Sequence, residues 1–87
     1  MVDLIDSLIK RARKGLYGQN KSVRLDPIIH SKNKKTLYLN IYVPLYPKEA
    51  SLARQVLGGE LPKKVIIGFA KKIHKKKWIF TDLTWES

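Results

Sequence analysis

The 87-residue sequence contains no cysteine and only seven acidic residues. The absence of cysteine excludes disulfide bonds, thiolate metal sites and a cysteine nucleophile. The sequence also lacks a glycine-rich phosphate loop, a Gly-x-Ser-x-Gly segment, the ligand spacing of a zinc site and a pair of carboxylates placed for acid–base chemistry. We therefore expect no cofactor and no metal site, and the enzyme classes that depend on these motifs are disfavoured.

Long apolar runs are missing as well. No stretch reaches the roughly 18 consecutive apolar residues of a membrane span, and Asp3 and Asp6 interrupt the apolar start that a signal peptide would need. Hydrophobic residues nevertheless make up 44% of the chain, which is enough for a folded core. These features predict one folded domain over residues 1–87, cytoplasmic, associated with a nucleoid or a ribonucleoprotein, and without a membrane partner.

Positive charge is the most prominent feature that is present. Eighteen Lys and Arg residues against seven Asp and Glu give a formal net charge of +11, which favours a polyanionic partner such as DNA or RNA. Lysines outnumber arginines by fourteen to four. Because lysine is a flexible point charge and bidentate reading of guanine favours arginine, this ratio predicts phosphate contacts that are largely independent of base sequence.

Two segments have the apolar spacing of amphipathic helices. Residues 2–14 carry acidic side chains near their start and basic side chains near their end, and Gly15 is placed to stop the helix. Residues 47–57 form the second segment, with Pro47 at the first helical position and Gly58-Gly59 at the end. The side chains that this second helix is expected to bury are Ala50, Ala53, Val56 and Leu57.

Four segments are predicted to be strands: residues 22–30, 36–43, 64–71 and 77–85. Strict alternation makes residues 36–43 the clearest of them. Pro27 has no amide donor, so the first strand is expected at a sheet edge or with a bulge, with Val23, Leu25 and Ile29 on one side. Basic turns at residues 31–35 and about 72–76 would join the strands into two hairpins.

This element order predicts an α+β protein. The simplest arrangement is a two-layer sandwich of αββαββ order, with a four-stranded antiparallel sheet and two helices on one face. A shift of 44 residues also aligns residues 1–43 with residues 45–87, matching Gly15 with Gly59 and His30 with His74. An αββ pseudo-repeat and a coincidental similarity of element order both remain open.

Alternation along the strands assigns side chains to the two faces of the sheet. The residues expected to meet the helices are Leu37, Leu39, Ile41, Val43, Val65, Ile67, Phe69, Ile79, Leu83 and Trp85. The residues expected on the open face are Tyr38, Asn40, Tyr42, Trp78, Phe80 and Asp82.

The candidate nucleic-acid-binding residues are basic side chains of the two turns together with one arginine of the first strand. They are Arg24, Lys32, Lys34, Lys35, Lys71, Lys72, Lys75, Lys76 and Lys77. Such side chains suit phosphate contacts and would make binding depend steeply on salt.

Aromatic side chains predicted on the open face have two interpretations, which can hold together. Tyr38, Tyr42, Trp78 and Phe80 could stack on the bases of a single strand while the lysines follow its backbone. The same residues could instead dock a protein partner or a second copy of this chain.

The sequence as a whole favours a non-catalytic nucleic-acid-binding protein, either chromatin-like or an accessory subunit of a DNA- or RNA-processing complex such as a polymerase or a ribosome. One alternative is a small toxin-like ribonuclease using His30 or His74. However, nothing in the sequence brings the two turns together, and no carboxylate is placed to orient either imidazole. The other alternative is a structural subunit that binds an acidic protein partner.

Overall fold

The computed structural model describes residues 4–57 and 60–86, which form two helices and five strands. The predicted α+β class is confirmed. In chain order the elements are α1 (Leu4–Leu16), β1 (Arg24–Leu25), β2 (Ile29–His30), β3 (Thr36–Pro44), α2 (Pro47–Leu57), β4 (Lys64–Lys72) and β5 (Ile79–Glu86). Within these described ranges, neither helix is long and apolar enough to cross a membrane.

The strands form one antiparallel sheet in which β3 and β4 are central. β4 pairs with β3 on one side and with β5 on the other. β1 and β2 both pair with the remaining edge of β3, so the sheet has five strands where four were predicted. The central position of β4 explains its nearly continuous apolar sequence.

The predicted first strand is divided at Pro27. The Asp26 amide donates to the Asn40 carbonyl at 2.9 Å, but the next residue has no amide proton to continue the pairing. When pairing resumes at Ile29 the register has shifted by one residue, since Leu25 lies opposite Ile41 but Ile29 lies opposite Tyr38. The prediction that Leu25 and Ile29 share a side is therefore wrong, because a one-residue shift changes the face.

Helix α1 ends later than predicted. It continues through Gly15, which is buried where a Cβ atom would collide with the Val23 side chain. The chain turns at Gly18, whose φ of 73° suits glycine, and the Gln19 amide donates to the Lys14 carbonyl at 2.7 Å. Gly18 therefore provides the helix stop that was assigned to Gly15. The predicted start at Val2 lies outside the described residues.

The core lies between α1 and one face of the sheet, which we call the inner face. Its fully buried side chains include Leu8 and Ala12 of α1 and residues of the two central strands predicted to point inward: Leu39, Ile41, Val43, Val65, Ile67 and Phe69. Leu37, Leu83 and Trp85 pack against the margin of this cluster, as predicted.

Helix α2 has the bounds predicted from sequence. Ala50 and Ala53 are buried as expected, whereas the predicted burial of Val56 and Leu57 and the helix end at Gly58-Gly59 lie outside what the structure describes. The Glu49 carboxylate accepts a hydrogen bond from the Tyr46 amide at 3.1 Å, which caps the first turn of the helix.

An ion pair that sequence reasoning missed connects the two helices. The Arg11 guanidinium donates to both carboxylate oxygens of Glu49, at 2.9 and 2.6 Å, and one of its nitrogens also reaches the Pro44 carbonyl at 3.3 Å. The bond from Arg11 lowers the pKa of Glu49 although burial opposes the shift. The same bond raises the pKa of Arg11. This bidentate pair therefore holds α2 next to α1.

A β-bulge in β5 overturns part of the predicted assignment of faces. Gly68 lies opposite Asp82, but Phe69 lies opposite Phe80, so Thr81 has no partner in the ladder. One inserted residue reverses the alternation beyond it. Phe80 therefore points inward, where its ring contacts Phe69 edge to face with centroids 6.4 Å apart, and Ile79 points outward.

Trp78 also belongs to the core, with only 8% of its surface exposed. The Arg13 guanidinium donates to the Trp78 carbonyl at 3.1 Å, and the Lys71 ammonium lies 4.9 Å from the centre of the indole ring. The predictions that Trp78 and Phe80 face outward and that Ile79 faces the helices are therefore wrong. The bulge at Thr81 accounts for the reversal at Phe80 and Ile79.

Candidate nucleic-acid interface

The pairing of β3 with β4 brings the two basic turns to one end of the sheet. The first lysine turn, residues 31–35, precedes β3, and the second lysine turn, residues 73–78, follows β4. Thr36 lies opposite Lys72 where the ladder ends, and the Ile73 amide donates to the Lys35 carbonyl at 3.0 Å. Nothing in the sequence predicted that the two turns meet, but in the structure they are directly hydrogen-bonded.

The first lysine turn is closed by local hydrogen bonds. The Lys34 amide donates to the Ser31 carbonyl at 2.9 Å, and the Asn33 side-chain oxygen accepts from the Lys35 amide at 3.1 Å. Lys34 has a φ of 57°, in the left-handed region that glycine or asparagine usually occupies. This backbone conformation therefore costs Lys34 more free energy than it would cost a glycine at the same position.

Seven exposed lysines from the two turns and the adjoining end of β4 form what we call the lysine end. They are Lys32, Lys34, Lys35, Lys72, Lys75, Lys76 and Lys77. The sequence has no acidic residue at positions 27–48 or 61–81, and none of these ammonium groups forms an ion pair with a carboxylate among residues 4–57 and 60–86. Positive charge is therefore concentrated here without local compensation.

Two of the predicted nucleic-acid-binding residues lie elsewhere. Lys71 is opposite Leu37, on the inner side of the sheet, and covers the Trp78 ring. Arg24 is opposite Tyr42, six residues along β3 from Thr36 and hence about 20 Å from the turns. Neither residue belongs to the lysine end.

Tyr42 is held in place by its neighbours. The Arg24 guanidinium lies 4.4 Å and the Lys64 ammonium 5.2 Å from the centre of its ring. Interaction with the Asp26 carboxylate raises the pKa of Tyr42 above its ordinary value of 10.0. Because two cations already lie against its ring, Tyr42 is poorly placed to stack on a base.

A depression of about 600 Å³ lies where the two lysine turns meet. Its lining residues are Asn33, Lys35, Thr36, Lys72, Ile73 and His74. His30 instead lies opposite Leu37, whose side chain packs against the core. In the part of the chain that the structure describes, no group of His, Asp and Glu side chains could hold a metal ion.

The face of the sheet opposite the core, which we call the open face, carries an apolar row next to the lysine end. Ile29, Tyr38, Ala70 and Ile79 lie opposite one another on β2, β3, β4 and β5. Three of these side chains are well exposed: Ile29 by 64%, Tyr38 by 46% and Ile79 by 60%. The exposure of Ile29 and Ile79 on this face was not predicted, because it results from the register shifts at Pro27 and Thr81.

A polar row follows the apolar row on the side away from the turns. Asn40, Gly68 and Asp82 lie opposite one another, and the Thr81 hydroxyl donates to the Asp82 carboxylate at 3.1 Å. A Cβ atom on Gly68 would collide with the side chains of Asp82 and Thr81. Glycine is therefore the residue that allows these polar groups to meet over β4.

Of the four aromatic residues predicted to stack bases or dock a partner, the structure leaves Tyr38 accessible next to the lysine end. Trp78 and Phe80 are turned to the inner side, and Tyr42 is engaged by its neighbours. In comparisons with protein-family models, curated proteins and solved structures, nothing matches the chain. Function is therefore inferred from the charge and geometry of the lysine end and the open face.

Proposed function

We propose that this protein binds nucleic acid through the sugar–phosphate backbone, without catalysing a reaction, and that the lysine end is the contact surface. The observation that carries this proposal is the hydrogen bond from Ile73 to Lys35, which joins the two lysine turns into one surface. Seven exposed lysines then face solvent in a region of sequence without acidic residues. Such a surface attracts a polyanion because binding releases condensed counterions.

The chemistry of the lysine end favours binding that is largely independent of base sequence. The surface contains lysines and no arginine, and lysine ammonium groups contact phosphates without a fixed geometry. Arg24, which could read a base edge, is engaged with the Tyr42 ring. The expected ligand is therefore the phosphate backbone of DNA or RNA and not a particular base sequence.

A two-layer arrangement with both helices on the inner face is part of this proposal. Leu8 and Ala12 of α1 are in the core, and the Arg11–Glu49 pair ties α2 to α1. Residues 41–60 carry as many acidic as basic side chains. This neutral region would allow a protein partner to bind while the lysine end holds nucleic acid, as expected of a chromatin-like protein or of an accessory subunit of a polymerase or ribosome.

Two variants of equal net charge can show whether binding depends on where the lysines lie or only on how many there are. The test variant replaces Lys32, Lys35, Lys75 and Lys76 with Gln, and the control variant replaces the exposed lysines Lys10, Lys21, Lys48 and Lys63 with Gln. Both variants lose four charges from a formal net charge of +11. Fluorescence anisotropy with labelled DNA and RNA, starting at about 50 mM salt, measures the affinity and its salt dependence.

We expect the test variant to reduce the log–log salt slope by about 3, at roughly 0.7–0.9 for each phosphate that is no longer neutralised. The control variant should change the slope by less than about 1. Equal reductions of the slope in both variants would show that binding depends on net charge alone and not on the lysine end. A wild-type protein that binds neither DNA nor RNA at about 50 mM salt would refute the function and favour the acidic protein partner.

A ribonuclease is the second candidate, because His74 lines the depression between Lys35 and Lys72. A phosphate seated there would be close to an imidazole that could transfer a proton. We favour binding over cleavage because, among the residues that the structure describes, no carboxylate forms an ion pair with either imidazole to orient its ring. RNA that is cleaved by the wild type, and not by His74→Ala, would replace the binding function with the enzymatic one.

A further inference from the structure

The apolar row of the open face (Ile29, Tyr38, Ala70 and Ile79) has the dimensions of a ligand platform. The four residues are on adjacent strands, so the row extends across three strand spacings, or about 14 Å. Tyr38 supplies the aromatic ring of the row, and an exposed isoleucine lies at each end. Exposed apolar side chains that lie side by side on a sheet typically mark a binding surface.

The surroundings of this row are electrically asymmetric. On the side toward the turns, the next residues on the same face are Thr36 and Lys72, about 6.7 Å along the strands. The rest of the lysine end lies beyond them. One step in the other direction are Asn40 and the exposed Asp82 carboxylate. A ligand with an anionic side and an apolar side is therefore favoured in one orientation, with its charge toward the turns and its apolar surface on Tyr38.

A single strand of nucleic acid has these properties. Its phosphates provide the negative charge, and its unpaired bases have free faces that stack on aromatic rings. A duplex keeps its base faces stacked inside the helix. It could therefore neutralise the lysines but could not stack a base on Tyr38. A neutral apolar protein segment would cover the row but would leave the lysine end uncompensated.

We propose, on the basis of the proposed function, that the ligand is single-stranded nucleic acid, with a base stacked on Tyr38 and the adjoining phosphates held at the lysine end. The isoleucines at both ends of the row contact the sugar or the neighbouring bases. The depression between the turns, lined by Lys35, Thr36 and Lys72, lies directly beyond Tyr38 and receives a phosphate. Tyr42 takes no part because Arg24 and Lys64 already cover its ring.

The test compares a labelled single strand of about 20 nucleotides with a duplex of the same sequence, at one salt concentration. The variants are Tyr38→Leu, which removes the ring but keeps an apolar side chain, and Tyr38→Phe, which keeps the ring. Tyr17→Leu is the matched control, because Tyr17 is an exposed tyrosine outside the open face, just after α1. Circular dichroism establishes that each variant is folded.

We expect Tyr38→Leu to weaken single-strand binding by at least about 5-fold, the lower limit for one stacked base, and to leave duplex binding within about 2-fold. Tyr38→Phe and Tyr17→Leu should bind the single strand like the wild type. An equal loss for the single strand and the duplex, or no loss for either, would overturn the stacking proposal. Continued dependence of binding on the lysine end would then show that the proposed function itself stands.

A measurement on the wild type keeps the proposal testable if Tyr38→Leu does not fold. Ultraviolet crosslinking to a single strand, followed by mass spectrometry, should identify Tyr38 or a peptide containing it. Crosslinks confined to other aromatic residues would contradict the proposal. So would a wild-type protein that is a dimer in solution and becomes monomeric in Tyr38→Leu without losing single-strand affinity, because the open face would then be a protein interface.

Discussion

Replacing Lys34 with glycine should stabilise the protein while weakening its binding to nucleic acid. Lys34 has a φ of 57°, a conformation that costs an L-residue other than glycine roughly 1–2 kcal/mol. Glycine adopts this conformation without the penalty but loses about 0.5–1 kcal/mol more backbone entropy on folding. The difference between the midpoints of these two ranges predicts a gain in unfolding free energy of about 0.75 kcal/mol, or a rise in Tm of about 3–6 °C for a domain of this size.

The same substitution removes one charge from the first lysine turn. If the Lys34 ammonium neutralises a phosphate, the log–log salt slope should fall by about 0.7 for a single strand or about 0.9 for a duplex. Stability and affinity would then change in opposite directions at one residue. This is the behaviour expected where a strained conformation is retained at a functional site.

Lys34→Ala is the matched control, because alanine loses the charge but keeps the unfavourable φ. Thermal unfolding and fluorescence anisotropy are measured for both variants and the wild type. The two variants should lose affinity equally, and only the glycine variant should gain stability. A Lys34→Gly variant that is less stable than Lys34→Ala would contradict the backbone strain at this position, and a wild-type salt slope in both variants would contradict a phosphate contact by Lys34.

Three further predictions concern the fold that supports the interface. Gly68→Val should lower the unfolding free energy by at least about 1–3 kcal/mol in urea denaturation, because its side chain must displace Asp82; wild-type stability would contradict the close approach. Glu49→Gln should cost about 1 kcal/mol at pH 7. Because the pKa of Glu49 is lowered in the folded state, this cost should begin to shrink as the pH falls below the unfolded value of about 4.5 and should disappear once the pH is also below the lowered folded pKa. A pH-independent cost would exclude the pair with Arg11. Trp78→Ala should cost about 3–5 kcal/mol, as for a buried ring, whereas an effect below about 1 kcal/mol would mean that the ring is on the surface.

The regular parts of the fold could be predicted from the sequence. Strict alternation over residues 36–43 predicted β3 to within one residue of its observed end at Pro44, and Pro47 marked the first residue of α2. The inner face of the two central strands followed from the same alternation. Repeated side-chain patterns identify such elements because each position adds to the same signal.

Pro27 marked the first strand as an edge or bulged strand, but the faces that single-residue irregularities produce could not be predicted. The unpaired Thr81 reversed the faces of Phe80 and Ile79, and the shift at Pro27 turned Ile29 outward. Alternation gives no warning of an inserted residue, since a bulge depends on tertiary packing. The left-handed conformation of Lys34 also has no sequence signal, because glycine or asparagine is the usual residue there.

The candidate site was predicted in composition but not in arrangement. The lysines of the two turns were identified from the charge pattern, but their meeting at one end depends on the pairing of Thr36 with Lys72. Lys71 and Arg24 were assigned to the site on charge alone, and the structure places both against aromatic rings outside the lysine end. The αββ pseudo-repeat stays a prediction.

The salt dependence of wild-type binding to a single strand tests whether the lysine end binds a nucleic-acid backbone. If four to seven of the lysines at the lysine end neutralise phosphates, the association constant should fall with salt with a log–log slope of about −3 to −5. Restoring salt to about 50 mM should restore binding. A slope near zero, or no binding at that salt concentration, would contradict the claim that this end of the sheet holds a nucleic-acid backbone.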